Sequence, residues 1–325
     1  MQTPIIWITC AVRIRVSAWC AAAVFALAAA PGEAAQWTVV PAVDLGAVRD
    51  SNLRLTTGPH DSTTGYVAAA RLGVARETEV SRAELNGFVA HTRYSGDEFE
   101  DKTDFGLTLD AIHRTSERGS LGLDARYRRE ALFHTVVLLP EDVGDIRDVD
   151  VGLSDDTLVR RHYRVLQPSW RWLLTERSAI ELRYRLTDVS FSDRPQTSEL
   201  LDYEENLISA IYSRRLSARD ELLVTANASR YRPDGTDAEA ETVQLLIGRA
   251  RTFSETLRGS VSVGAGRTTE REGGTEEEST GIVVDARLQQ RAETSTLDGV
   301  VSRTVTPSGI GRVLRTDQLR VLWTR

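Results

Sequence analysis

The chain has 325 residues, 27% of them charged and 41% hydrophobic, with 40 basic side chains against 47 acidic ones. That charge fraction excludes a bundle of many membrane-spanning helices, and a formal charge of −7 argues against a nucleic-acid partner, which wants a basic face. It does not exclude a β-barrel, because only the outward half of each barrel strand must be apolar.

Residues 1–34 are expected to form a secretory signal peptide. Arg13 and Arg15 supply the positive region, Val16 to Ala30 is an almost unbroken apolar run, and Gly32 and Ala34 are placed for cleavage after Ala34. The run is shorter than the ~20 residues that a spanning helix needs. Both cysteines, Cys10 and Cys20, fall in this segment, so residues 35–325 are expected to have no disulfide, thiol nucleophile or cysteine metal site.

From Gln36 onward polarity alternates with period two. Leu121, Leu123, Ala125 and Tyr127 interleave with Gly122, Asp124, Arg126 and Arg128. Ile180 to Thr187, Leu257 to Gly266 and Ile282 to Gln289 repeat the pattern, which predicts strands with one apolar and one polar face. A buried parallel sheet would instead show continuous apolar runs.

Six short turns of related chemistry recur: Glu77-Thr78-Glu79, Ser116-Glu117-Arg118, Thr175-Glu176-Arg177, Ser217-Ala218-Arg219, Ser254-Glu255-Thr256 and Ala292-Glu293-Thr294. Between them the connections read as longer loops, carrying Pro59, Pro140, Pro195, Pro233, Pro307 and the Gly273-Gly274 pair. Short turns on one side and longer loops on the other are the asymmetry of an outer-membrane barrel. The pattern predicts an all-β, antiparallel up-and-down transmembrane β-barrel of about 14 strands over residues 35–325. An even strand number puts both ends on the periplasmic side. Pro168 reads as a bulge, since the apolar phase shifts from Tyr163 and Val165 to Trp170 and Trp172. Trp37, Tyr66, Phe88, Tyr94, Tyr127, Tyr163, Trp170, Trp172, Tyr184, Tyr203, Tyr212, Tyr231 and Trp323 are candidates for thin aromatic girdles.

The run Trp37-Thr38-Val39-Val40-Pro41-Ala42-Val43-Asp44-Leu45, followed by Arg49-Asp50-Ser51-Asn52-Leu53-Arg54-Leu55, resembles the opening strand and first loop of an outer-membrane β-barrel porin group. Members of that group are associated with exopolysaccharide or PEP-CTERM gene clusters. The later Thr/Ser-Glu-Arg turns are similar in style. The resemblance implies a barrel and brings no catalytic motif. Members tend to be longer, and the ending Val321-Leu322-Trp323-Thr324-Arg325 lacks the usual final aromatic residue. Either the barrel ends atypically or a hairpin or more of C-terminal strand is missing.

Asp124, Arg126, Arg128, Glu181, Arg183, Arg185, Asp285 and Arg287 fall on the polar side of the alternation and are expected to face the lumen. Glu141, Asp142, Asp145, Asp148 and Asp150 belong to the longest outer loop, read either as a solvated loop or as one folded into the mouth, narrowing it and favouring cations. Five histidines (His60, His91, His113, His134 and His162) show no metal spacing and read as solvent or lumen side chains. His134 and His162 flank that loop, but no nucleophile motif surrounds them, so no enzyme is expected and no cofactor or metal is implied. The expected function is a passive pore or accessory barrel for polysaccharide export, with outer-membrane lipid and saccharides or small solutes as partners. A closed structural or adhesion barrel with partner-binding outer loops is the alternative, and a barrel hydrolase comes third.

Overall fold

The computed structural model describes residues 35–50, 62–95, 100–132, 159–194, 200–307 and 313–324. Every element among them is a strand: β1 (Gln36–Asp50), β2 (Thr63–Glu77), β3 (Ser81–Tyr94), β4 (Lys102–Arg114), β5 (Gly119–Leu132), β6 (Val159–Thr175), β7 (Ser178–Ser192), β8 (Tyr203–Arg215), β9 (Asp220–Pro233), β10 (Glu239–Thr252), β11 (Leu257–Glu272), β12 (Thr275–Arg291), β13 (Thr296–Pro307) and β14 (Val313–Thr324). They form one 14-stranded sheet in sequence order, each strand antiparallel to the next. This is the up-and-down architecture expected from the alternation. Among the described residues, however, no pairing joins β1 to β14, so the sheet keeps two edges. The segments expected to be the signal peptide (1–34) and the acidic constriction loop (Glu141, Asp142, Asp145, Asp148 and Asp150) lie outside the described residues.

The six recurring turns are the six tight connections at one end of the sheet. Their shared chemistry has a local cause. The Ser116 hydroxyl accepts from the Gly119 amide at 2.9 Å, Ser254 from Leu257 at 3.0 Å, and Ser217 from both Arg219 and Asp220 at 3.1 Å. A short side-chain acceptor at the first turn position thus satisfies amides that the ladder leaves free. At the other end the connections differ more than the sequence suggested. The β11–β12 link is not a longer loop but a two-residue hairpin in which Gly273 and Gly274 take φ of 58° and 80°, with Glu272 paired to Thr275. Both residues need φ > 0, which glycine adopts without a Cβ penalty.

The register makes one face continuous. Val43, Ala70, Val89 and Phe105 are cross-strand neighbours, as are Leu121, Trp170 and Leu182. The same apolar face runs on through Tyr212, Val224, Ile247, Val263 and Val284. That row starts near the short-turn end of β8 and reaches Asp317 in the middle of β14, so the strands are staggered in one direction, as in a tilted barrel wall.

Burial runs opposite to that of a water-soluble sheet. The apolar face is the open one: Val243, Leu245 and Ile247 on β10 are 62%, 60% and 58% exposed. Buried strand residues such as Val189, Thr187, Tyr231, Thr242, Thr268 and Val283 lie on the polar face instead, the exceptions being Ala131 and Gly119. Crowding of side chains on one face is what a sheet curved toward that face produces, and the polar face is termed the inward one.

Pro168 is not a bulge. It pairs with Leu123, and the β6–β7 register is the same at Leu166↔Leu186 and Ser169↔Arg183 on either side of it. The register shift lies at Leu173/Thr175. The apparent change of phase arose because β6 carries apolar residues on both faces, Tyr163 and Val165 inward and Trp170 and Trp172 outward. Pro41 sits on β1, an edge strand that tolerates the missing N–H.

At Gly264 the neighbouring strand leaves no room for a side chain: a Cβ there would run into the Leu245 carbonyl oxygen. Gly264→Ala is therefore expected to destabilise the protein by about 1–3 kcal/mol through forced strand separation. A urea midpoint equal to the parent's would contradict that close approach.

Candidate functional site on the polar face

All eight residues expected to face the lumen share the polar face of the sheet. The structure gathers six of them on β5 and β7, whereas Asp285 and Arg287 stand apart on β12. Their carboxylates and guanidinium groups are paired within and between strands. Asp124 lies 3.4 Å from Arg126, Arg128 lies 3.4 Å from Glu130, and Glu130 also receives Arg161 at 2.8 Å. Glu181 pairs with Arg183, and Arg185 crosses to Glu205 on β8 at 3.3 Å. Asp285 and Arg287 are 3.4 Å apart. Residues two apart on a strand share a face, which is why the Asp-x-Arg, Arg-x-Glu and Glu-x-Arg spacings of the sequence become ion pairs. Arg185 and Glu205 are 10% and 12% exposed, so this pair is part of the packed interior. Asp110 on β4 stands directly across from Asp124, and Arg126 offsets the two like charges.

Toward the long-loop end the inward face turns apolar. Val159, Val189, Phe191, Leu200, Tyr203, Tyr231 and Ala240 form a buried cluster, with the Tyr203 and Tyr231 rings 5.4 Å apart and Tyr163 packed alongside. Phe88, Tyr94, Tyr163, Tyr203 and Tyr231 therefore do not belong to outward girdles, because their strand parity turns them inward. Of the girdle candidates, Trp37, Tyr66, Tyr127, Trp170, Trp172, Tyr184, Tyr212 and Trp323 face outward. Trp170 stacks on Trp172 at 6.0 Å near the short turns, and Arg76 lies 6.0 Å from the Trp37 ring.

The described histidines also face outward, not into the lumen. Each meets a hydroxyl: His91 that of Thr103 at 3.0 Å, His113 that of Ser81 at 2.7 Å, and His162 that of Tyr127 at 3.0 Å. Among the described residues no cluster of His, Cys, Asp and Glu has the geometry of a metal site. His60 and His134 lie outside them.

Beyond the apolar band, the outward face at the long-loop end is charged. Arg164 pairs with Asp188 at 2.6 Å, and Arg271 lies 3.1 Å from Glu276 and 3.5 Å from Glu241. At the short-turn rim, hydrogen bonds from Arg249 and Ser217 hold the Asp220 carboxyl below the usual carboxylate range. The two charged margins bracket the apolar band.

The alternation in the sequence points to these inward charges, but it misses a second group. Arg215, Arg258 and Arg320 lie on the inward face near the short turns, where with Arg287 they line a cavity of about 620 Å³. Strand parity alone puts each of them inward; what it cannot give is the register across β8–β14 that sets them around one space.

No protein-family model matches the chain, and no curated protein matches it. Among solved structures it is similar to a bacterial polysaccharide outer membrane secretin, at 10% identity and a TM-score of 0.41, over 90% of this chain and 97% of that one. It is similar to an outer membrane channel from Pseudomonas putida F1, at 17% identity and a TM-score of 0.42, over 80% and 96% of the two chains. A loop L8 deletion mutant of OmpT, an outer membrane protein of Vibrio cholerae, is similar at 9% identity and a TM-score of 0.40, over 76% and 95%.

Proposed function

We propose that this chain is an outer-membrane β-barrel that acts as a passive pore. The observation that carries this reading is the inverted burial: the apolar face stands open while ion pairs and hydroxyls crowd the concave face. In water such a sheet would expose its whole apolar face, whereas in a bilayer that face meets hydrocarbon and the polar face lines a lumen. A barrel of 14 strands lies between small filled barrels and wide water-filled porins, so its lumen has room for solutes. The finer proposal is accessory transport in polysaccharide export, supported by the resemblance of the first strand and loop. The barrel is proposed to be non-enzymatic, with outer-membrane lipid around it and saccharides or small solutes as cargo.

A second reading, a closed structural or adhesion barrel, is favoured by one observation. The apolar cluster of Phe191, Leu200, Tyr203 and Tyr231 occupies part of the inward face at the long-loop end. Swelling of liposomes containing the protein separates the two. Entry of arabinose and glucose at rates above protein-free liposomes is expected for the pore, and impermeability to both sugars would overturn it. Deleting residues 141–154 tests the acidic loop: unchanged conductance and cation selectivity would remove it from the constriction.

A further inference from the structure

Seven consecutive strands, β8 to β14, contribute to the cavity of about 620 Å³ at the short-turn end. Arg287 and Arg320 stand on either side of Val300 in one register row, and Arg258 is the neighbour of Gln289 one row nearer the turns. Three acidic residues line the cavity: Asp298 accepts from Gln289 at 2.7 Å, Asp220 is held by Arg249 at 2.7 Å, and Glu221 is the register neighbour of Arg215, leaving Arg258 and Arg320 without a carboxylate of their own. Arg287 has Asp285 at 3.4 Å, but among the described residues no carboxylate pairs with Arg215, Arg258 or Arg320. Arg320 is the most constrained of the group, because its Nε and Nη1 are shielded from solvent and have no hydrogen-bond partner. Buried donors of a charged group left without acceptors are costly, and a guanidinium fork matches the two oxygens of a carboxylate or phosphate.

We propose that Arg258, Arg287 and Arg320 form an anion-binding site at the short-turn mouth, taking a solute that carries carboxylate or phosphate groups. As a binding site it requires only the fold. As a statement about what is transported it rests on the pore reading, and it names acidic saccharides over neutral ones. The pairing pattern supports this asymmetry, since on β5–β7 Arg126, Arg128, Arg161, Arg183 and Arg185 have carboxylate partners and Arg171 alone of the inward arginines does not, whereas at this mouth three do not.

Calorimetry on the full-length protein in detergent, with trigalacturonate, pyrophosphate and neutral maltotriose as probes, tests the site. The wild type is expected to bind one or both anions and not maltotriose. Arg258→Gln/Arg320→Gln should weaken anion binding at least tenfold, and Arg320→Lys, which keeps the charge but loses the fork, should fall between. Trigalacturonate alone would assign a carboxylate site and pyrophosphate alone a phosphate site. A second measurement does not depend on the variants folding: phenylglyoxal labelling of the wild type, with trigalacturonate or pyrophosphate expected to protect Arg258 and Arg320. Equal affinity in wild type and double variant, no binding of either anion, or labelling unchanged by both anions would overturn the site. Anion binding by a protein that leaves liposomes impermeable to sugars would keep the site and remove the pore.

Discussion

Replacing Leu245 by arginine is expected to destabilise the bilayer-inserted protein by about 2–4 kcal/mol. Leu245 is 60% exposed, lies between Ala226 and Ala265 in its register row, and sits midway along the apolar stretch of β10 from Val243 to Ile247. In hydrocarbon the introduced guanidinium would sit near the midplane with no counter-charge within reach. The adjacent Gln244 points to the opposite face, and Gln244→Arg is expected to change stability far less. Urea unfolding from lipid vesicles measures both. The contrast between two neighbouring positions is specific to an inside-out sheet. In a water-soluble sheet the arginine at 245 would cost little and raise solubility, so equal midpoints for wild type and Leu245→Arg would end the membrane reading.

The second large effect is expected from Glu205→Ala. Glu205 and Arg185 are diagonal neighbours on β8 and β7, 3.3 Å apart at 12% and 10% exposure, and the Arg185 Nε already lacks a hydrogen-bond partner. Removing the carboxylate leaves a buried guanidinium uncompensated, and losses of about 3–5 kcal/mol follow such changes. Replacing both members by Arg185→Met/Glu205→Leu should restore most of that, since an apolar pair of similar volume carries no desolvation cost. A single substitution that costs under about 1 kcal/mol in the same unfolding assay would show this pair to be solvated. A lumen containing such pairs would be partly packed interior, which narrows the proposed pore.

The strands were legible where each face is chemically uniform. On β5, β7, β11 and β12 the alternation gave the element and its polar face, because over Leu121–Arg128, Ile180–Thr187, Leu257–Gly266 and Ile282–Gln289 apolar and polar side chains take turns, with Val283 the exception. On β6 it failed, because Val159, Tyr163 and Val165 are apolar and inward while Leu166, Trp170 and Trp172 are apolar and outward. A strand greasy on both faces carries no period, and the change of emphasis along it looks like a bulge. The inward tyrosines escape the pattern for a related reason: Tyr203 opens β8, and Tyr163 and Tyr231 are apolar bodies at positions of the otherwise polar face. The anion site was out of reach because Arg258, Arg287 and Arg320 belong to three strands, and only pairing brings them to one mouth. The Gly-Gly hairpin between β11 and β12 was read as a longer loop, although its two central glycines are the signature of the shortest one.

Among the described residues β1 and β14 each have one unpaired side, which would decide how this sheet could enter a bilayer. Exposed to water, amides and carbonyls along an outermost strand are solvated at little cost; exposed to lipid tails, each one costs several kcal/mol. Insertion and the capture of a partner strand by each margin therefore have to be one event, not two in succession. With an even number of strands β1 and β14 run in opposite directions, the relation an antiparallel seam requires. Any seam along β1 passes Pro41, which has no amide hydrogen to give. That position is where such a join would be thinnest, and where the wall would first come apart under strain.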